Sequence, residues 1–247
     1  EIVDQGIAFA DRSGVPAESP LRINLLRARA DALLKLGDAA AAESVVRRAI
    51  ALQRKTTSDR GNHMADLQNT LGHVLSDLGR YREALQALSQ SDIIDKATAA
   101  APTDHAISLS NLASVHENAG DYPKAVALGQ QALATLDAAD VPADDPERRM
   151  MERNHTRSLG LAGQTAQALP RMQALRERAR TLDGVDSAEY AFTTWQRVVM
   201  ASHMHDPTRG VPLLADARKR WAALVPEGHP VFTHALRAEA AFARDKG

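Results

Sequence analysis

The strongest constraint on this chain is a glycine that recurs about every 42 residues. The series of turn positions keeps intervals of 41 to 43 residues and comprises Gly37, Gly79, Gly120, Gly163, His205 and Gly247. Seven residues before each turn position lies the first small position, held by Ala30, Gly72, Ala113, Thr156, Val198 and Ala240. Five residues after it lies the second small position, held by Ala42, Ala84, Ala125, Ala168 and Gly210. A repeat of this length dictates the architecture of the whole chain.

Each repeat predicts two helices joined by a tight turn. Leu71, Leu75 and Leu78 share one face at helical spacing before the turn. Leu85 and Leu88 do the same after it. A glycine between them can adopt positive φ and cap the first helix, and small residues are needed where the two helices cross. Because one hairpin cannot bury its apolar face alone, the hairpins must stack. The sequence therefore predicts an all-α fold.

Composition agrees with packed helices and excludes several classes of function. The 247 residues are 44% hydrophobic but only 4% aromatic, and alanine is abundant. A formal net charge of −1 gives no global attraction to nucleic acid or to an anionic membrane. The absence of cysteine excludes disulfides and thiolate metal sites. No apolar run approaches the ~20 residues that span a bilayer. We expect a cytoplasmic protein without nucleic-acid partners or membrane insertion.

The repeat resembles the tetratricopeptide repeat, whose pattern combines Leu-Gly in a first helix with Ala and a bulky apolar residue in the second. The residues that match are Leu71-Gly72, Tyr81, Ala84 and Leu88, then Leu112-Ala113, Tyr122, Ala125 and Ala132. Its length is similar to the subclass of about 42 residues typified by kinesin light chains, rather than the usual ~34. The resemblance implies a right-handed superhelix, an α-solenoid of about twelve helices. It also suggests a segment of a larger bacterial signalling protein, such as a Ser/Thr protein kinase.

The periodicity divides the chain into a single repeat array. The predicted units are a half repeat at 1–12, full repeats at 22–60, 64–101, 105–140, 147–183 and 187–224, and a half repeat at 229–247. Because both ends fall within a hairpin, we expect the sequence to be part of a longer protein. Pro170 and Pro212 occupy equivalent places in successive second helices, 42 residues apart. Since proline removes a helical hydrogen bond, those helices are expected to kink or to start late.

No catalytic constellation stands out in the sequence. His203 and His205 lie two residues apart, which places them on different faces of a helix, unlike the i, i+4 pair of a zinc helix. Asp144 and Asp145 lie in a proline-containing loop and suit helix capping. Neither a phosphate-binding glycine loop nor a nucleophile motif is present. We therefore expect no enzyme activity in this segment, no cofactor and no metal.

The candidate binding residues lie on the first helices, which line the concave wall of such a stack. The positions three before, two before and one after the first small position face this groove. The candidates are Arg27, Asp31, Asn69, His73, Asn111, Ser114, Arg153, Asn154, Arg157, Trp195, Gln196 and Arg237. Asn111, Asn154 and Gln196 share one position, where the resemblance implies hydrogen bonds to the backbone of an extended peptide. Asn69 is one residue out of that register.

Charge and aromatic content refine this expectation. Arg153 and Arg157 lie four residues apart on one helix face and could clamp an acidic group. Trp195 is either a binding hot spot or a core residue. The predicted function is recognition of a protein or peptide partner by a scaffold or regulatory module. Two alternatives stay open: self-association into a homodimer, and a sensor that binds a signalling peptide or small molecule.

Overall fold

A computed structural model describes residues 2–56, 62–98, 101–225 and 230–245, and these residues form α-helices joined by short turns, without a β-strand. The predicted all-α class of stacked helical hairpins is confirmed. Gly247 and the predicted repeat ends at 60 and 229 lie outside the described residues. None of the described helices is long and apolar enough to cross a lipid bilayer. The chain divides into two compact units, residues 1–141 and residues 142–247.

The first unit contains a single helix followed by three hairpins. Its helices are α1 (Ile2–Arg12), α2 (Pro20–Lys35), α3 (Ala39–Thr56), α4 (Asn62–Asp77), α5 (Tyr81–Ala97), α6 (Pro102–Asn118) and α7 (Tyr122–Ala138). Each helix packs on the next, and α4 also contacts α2 and α6. The first helices α2, α4 and α6 therefore lie side by side as one wall of this unit.

The second unit contains two hairpins and a further helix. Its helices are α8 (Pro146–Leu161), α9 (Thr165–Leu182), α10 (Ala188–His203), α11 (Pro207–Leu224) and α12 (Pro230–Arg244). Here α10 contacts both α8 and α12, which makes α8, α10 and α12 the corresponding wall of first helices. Asp145 caps α8 by accepting a hydrogen bond from the backbone amide of Arg148 at 3.0 Å, as the loop position of this aspartate predicts.

The turns between paired helices share one hydrogen-bond pattern. At Gly79, with φ of +74°, the amide donates to Ser76 O at 2.9 Å and the next amide, of Arg80, donates to Leu75 O at 2.8 Å. Gly37, Gly120 and Gly163 repeat this arrangement with φ of +80 to +82°. These paired bonds satisfy the last carbonyls of each first helix. His205 adopts φ of +52° in the fifth turn without being a glycine.

The small positions are where the helices of a hairpin meet. Ala42, Ala84, Ala125 and Ala168 have no exposed surface, and Gly210 is also buried. A Cβ added to Gly72 would lie 2.5 Å from the Leu88 side chain. Thr156, in a first small position, is buried with its hydroxyl donating to Glu152 O at 2.7 Å. Small size at these positions therefore sets how closely the helices approach.

The two prolines lie inside regular helices. Helix α9 begins at Thr165 and α11 at Pro207, so each starts five residues before its internal Pro170 or Pro212. The alternative of a late start is therefore wrong. Ala168 and Gly210 are buried just before these prolines, Gly210 against Phe242 of α12, and packing there fixes the first turn as helix. The loss of one hydrogen bond is small beside that burial.

Candidate functional site

In the first unit, polar side chains link neighbouring first helices. Thr70 Oγ1 on α4 donates to Asp31 Oδ1 on α2 at 3.2 Å. One helix further on, His73 and Asn111 hold the same two positions, and the Asn111 amide opposes the lowering of the His73 pKa by burial. In both pairs, one residue directly follows the first small position of its helix. Its partner lies two residues before the first small position of the next first helix. Polar residues thus recur at the same pair of positions along the wall of α2, α4 and α6.

The second unit contains the same link. Arg157 Nη1 on α8 donates to Gln196 Oε1 on α10 at 3.2 Å. These two residues hold the same positions in their helices as Asp31 and Thr70 do in theirs. One geometric relation therefore accommodates a carboxylate with a hydroxyl in the first unit and a guanidinium with an amide in the second. The relation is a property of how successive hairpins stack.

These links bury the position that lies two before the first small position. Thr70 is 5% exposed, Asn111 9% and Gln196 5%. Asn154, at the same position of α8, is half-exposed. The side chains that remain open to solvent in this set are the partners at the neighbouring positions, such as half-exposed Asp31 and His73. The polar surface is thus formed mainly by the partners of these buried side chains, and not by the buried side chains themselves.

Asn69 and Asn111 meet although they differ by one residue in the repeat register. Asn111 Nδ2 donates to Asn69 Oδ1 at 3.3 Å, and Asn118 Nδ2 donates to Ser76 Oγ at 3.0 Å across the same pair of helices. Each bond joins residues 42 apart. The first small positions of α4 and α6 are 41 residues apart, so the bonded residues do not hold equivalent positions of the repeat.

Behind this wall lies a buried polar network that the sequence did not reveal. Ser108 Oγ donates to Asp95 Oδ2 at 2.7 Å, and Asn69 Nδ2 donates to Ser108 Oγ at 3.4 Å. Ser91 Oγ donates to Ala65 O at 2.9 Å beside them. Burial raises the pKa of the Asp95 carboxyl, and the Ser108 hydroxyl opposes this shift. Serine and aspartate at otherwise apolar helix positions were the available signal.

The wall of the first unit is acidic. Arg27 pairs with Asp31 at 3.7 Å. Burial raises the pKa of the Asp66 carboxyl; the charges of Arg27 and His63 oppose this shift, and those of Asp104 and Asp31 add to it. Burial lowers the pKa of the His73 imidazole, which is nevertheless partly exposed.

In the second unit, Arg153 already has an acidic partner within the chain. Its side chain is almost fully buried, pairs with Glu189 and lies 5.4 Å from the centroid of the Phe192 ring. Phe192 is 43% exposed and packs edge-on against Trp221 with the centroids 4.8 Å apart. The sequence did not single out Phe192, whose position on α10 lies outside the three that were considered.

The remaining candidates lie in different surroundings. Trp195 is half-buried and packs on a cluster that includes Trp221, Phe232 and Ala235. Ser114 is half-buried and donates to Ser110 O of its own helix at 3.1 Å. Arg237 is exposed on α12. The structure thus brings Arg27, Asp31, Asn69, His73 and Asn111 together in the first unit, and Arg157 with Gln196 in the second.

Comparison with known families identifies the repeat. Residues 20–91 and residues 105–136 match two family models described as tetratricopeptide repeat. The chain carries tetratricopeptide repeats. No curated protein sequence matches the chain significantly. The matched segments include the Leu71-Gly72 and Leu112-Ala113 pairs that carry the sequence resemblance.

Solved tetratricopeptide structures share this fold. The chain is similar to TPR-like repeats from a Podosopora anserina protein described as a kinesin light chain, with TM-score 0.60, 18% identity and coverage of 81% of this chain and 95% of that one. It is similar to BtubC (BKLC) from P. vanneervenii, with TM-score 0.64, 17% identity and coverage of 91% and 92%.

A third similar structure contains a bound factor. The Rap protein complexed with competence and sporulation factor gives TM-score 0.62 and 14% identity, with coverage of 91% of this chain and 65% of the Rap chain. At such identities the likeness establishes a common fold. The observed turns at Gly37, Gly79, Gly120 and Gly163 keep intervals of 41 to 43 residues, so the repeats are of the long kind that the glycine spacing predicted.

Proposed function

We propose that the first-helix walls of this tetratricopeptide protein bind an extended protein or peptide segment, as a non-catalytic scaffold or regulatory module of a larger signalling protein. The observation that carries the proposal is the hydrogen bond of Asp31 with Thr70 in the first unit and its counterpart of Arg157 with Gln196 in the second. Such links hold polar groups in place before a partner arrives. Preorganised groups lose less entropy on binding and so bind more tightly.

Within this proposal, buried and open residues have different roles. Buried Thr70, Asn111 and Gln196 support their neighbours. Half-exposed Asp31, His73, Asn69, Asn154 and Arg157 contact the partner. An amide such as that of Asn154 offers both a donor and an acceptor, which matches a peptide bond. The partner would therefore be held through its backbone, with charge setting its preference.

The two units differ in charge and should therefore prefer peptide segments of opposite charge. The wall of the first unit brings Asp31, Asp66, Asp77 and Asp104 near His73 and Arg27, and so favours a basic segment. In the second unit, Arg237 is exposed on α12, which favours an acidic one. Complementary charge contributes specificity and association rate more than affinity.

Selection from a random peptide library, followed by affinity measurement, tests this proposal. Asn154→Ala should weaken a peptide bound by the second unit by roughly threefold to tenfold, since one net hydrogen bond is worth about 0.5–1.5 kcal/mol. Gln167→Ala, which removes an exposed amide from the second helix α9, should leave affinity unchanged. If Gln167→Ala weakens binding and Asn154→Ala does not, the interface lies on the second helices.

A further inference from the structure

A cavity of about 350 Å³ lies between the second helices α3 and α5, and the first helix α4 forms its floor. Met64, Gln68, Leu71 and Leu75 line this floor. Their spacing of four, three and four residues places them on one face of α4. At 3.6 residues per turn, this face lies opposite the one that carries His73 in the first-helix wall. The cavity is therefore separate from that wall.

Ion pairs close one end of the cavity. Arg47 on α3 lies 4.0 Å from Glu83 on α5, and Arg80 Nη1 donates to Glu43 Oε1 at 2.8 Å across the same two helices. Arg47 also pairs with Glu43 at 2.8 Å, and Arg80 with Glu83 at 2.6 Å. These two arginines and two carboxylates balance each other, so they offer no net charge for the recognition of an ionic ligand.

Side-chain amides line the rest of the cavity. Gln86 and Gln90 lie one turn apart on α5, and both are exposed. Arg54, in the last turn of α3, lies on the opposite side and already interacts with another group of the chain. Each amide offers both donors and an acceptor. The lining therefore favours an uncharged ligand that also has both.

Gln68 is the residue of the floor that points to a ligand. Its side chain lines the cavity and is only 8% exposed. Among the described residues, no hydrogen bond reaches its amide. Buried polar groups in native structures almost always have a partner. Because the chain supplies none, the amide of Gln68 is available to a group that enters the cavity.

We propose that this cavity binds a short peptide segment with an aliphatic side chain. A peptide unit presents one N–H and one C=O, which complement the amide of Gln68, with Gln86 and Gln90 beside it. Met64 and Leu71 provide the apolar surface for the side chain. Since this site and the first-helix wall lie on opposite faces of α4, the chain binds two segments at once.

The test is a nuclear magnetic resonance titration of the intact chain with an alanine-leucine-alanine tripeptide, acetylated and amidated so that it carries no charge. The backbone signals of Gln86 and Gln90 should shift and saturate. Gln68→Leu should weaken binding roughly threefold to tenfold, because one hydrogen bond is lost. It should keep the fold, since buried Leu26 and Leu109 hold the equivalent position in α2 and α6. Gln68→Met, which preserves the length of the side chain, replaces it if the leucine variant does not fold.

The matched control is Gln131→Leu, which makes the same change at an exposed glutamine of α7 outside the cavity and should leave the affinity unchanged. A blocked triglycine should bind about threefold more weakly or less tightly still, because it has no aliphatic side chain. The proposal is overturned if the tripeptide does not saturate the parent, if Gln68→Leu binds as tightly as the parent, or if triglycine binds equally well. Shifts at Ser114 of the first-helix wall without shifts on α5 would also overturn it.

Discussion

Arg157 on α8 donates a hydrogen bond to Gln196 on α10 at 3.2 Å, and this contact repeats the geometry of Asp31 with Thr70 in the first unit. In a solenoid each hairpin contacts only its neighbours, so stability depends on the terms between adjacent repeats. These bonds are such terms, and they lie on the surface where a partner would bind. Stacking of the repeats and organisation of the wall are therefore coupled.

A double-mutant cycle measures that coupling. Arg157→Ala and Gln196→Ala should each destabilise the chain in urea unfolding, and the pair should show an interaction energy of about 0.5–1.5 kcal/mol, the usual net value of a hydrogen bond. Gln167→Ala combined with Arg157→Ala provides the control, since Gln167 is exposed on α9. Additive effects in the Arg157 and Gln196 cycle would mean that the contact contributes nothing.

Substitution of Gly79 and of Gly72 by alanine should destabilise the chain by different mechanisms. Gly79→Ala forces a side chain to φ of +74°, although open space surrounds its Cβ, and should cost about 1 kcal/mol through backbone strain. Gly72→Ala drives a methyl to 2.5 Å from Leu88 and should cost about 1–3 kcal/mol through overpacking. Leu88→Ala should rescue Gly72→Ala partly, but not Gly79→Ala. Equal rescue of both in urea melts would contradict this distinction.

Bulk at a hairpin crossing should be poorly tolerated. Ala125 has no exposed surface, so Ala125→Leu should destabilise the chain by roughly 1–3 kcal/mol. Ala127→Leu, two residues further along α7 on an exposed face, should change stability by less than about 0.5 kcal/mol. Thermal melting of the two variants beside the parent provides the measurement. A neutral Ala125→Leu would mean that the crossing lies elsewhere.

Acid should destabilise the chain through buried histidines. Burial lowers the pKa of His155, and the charge of Arg171 lowers it further. The unfolded state, with a histidine pKa near ~6.5, therefore binds more protons than the folded state below that pH. Stability should fall as the pH drops from about 7.5 to 5.5. His155→Leu should lose less stability over this window, because leucine cannot titrate.

His73 and His116 also have lowered pKa values through burial, and they are present in both proteins. The difference between the parent and His155→Leu therefore isolates one imidazole. Urea unfolding at a series of pH values measures it. Parallel stability curves for the two proteins would show that His155 titrates normally in the folded state.

The sequence predicted the helices and turns well because the repeat encodes them locally. Glycines at the turns adopt positive φ, and alanines at the crossings are buried, for reasons visible in single residues. The prediction that the proline-containing helices could start late was wrong. Burial of Ala168 and Gly210 outweighs the loss of one hydrogen bond at each proline. That balance depends on packing between helices, which the local sequence does not show.

The candidate site was less accessible to sequence reasoning. Counting from the small residues placed Asn69 out of register with Asn111, but the two side chains are hydrogen-bonded between α4 and α6. The sequence also did not show that Arg153 forms an ion pair with Glu189, or that Asn111 and Gln196 are buried. Such partnerships arise between residues of different repeats. Only the three-dimensional stacking reveals them.

Photo-crosslinking of a selected peptide tests the central claim most directly. A benzophenone side chain replaces Ser114, half-exposed on the first helix α6, or Gln130, exposed on the second helix α7. Ser114 bonds only its own helix through the described contact to Ser110 O, so its replacement costs little. We predict that a peptide bound by the first unit crosslinks to position 114 and not to position 130. Crosslinking at position 130 alone would contradict recognition by the first-helix wall.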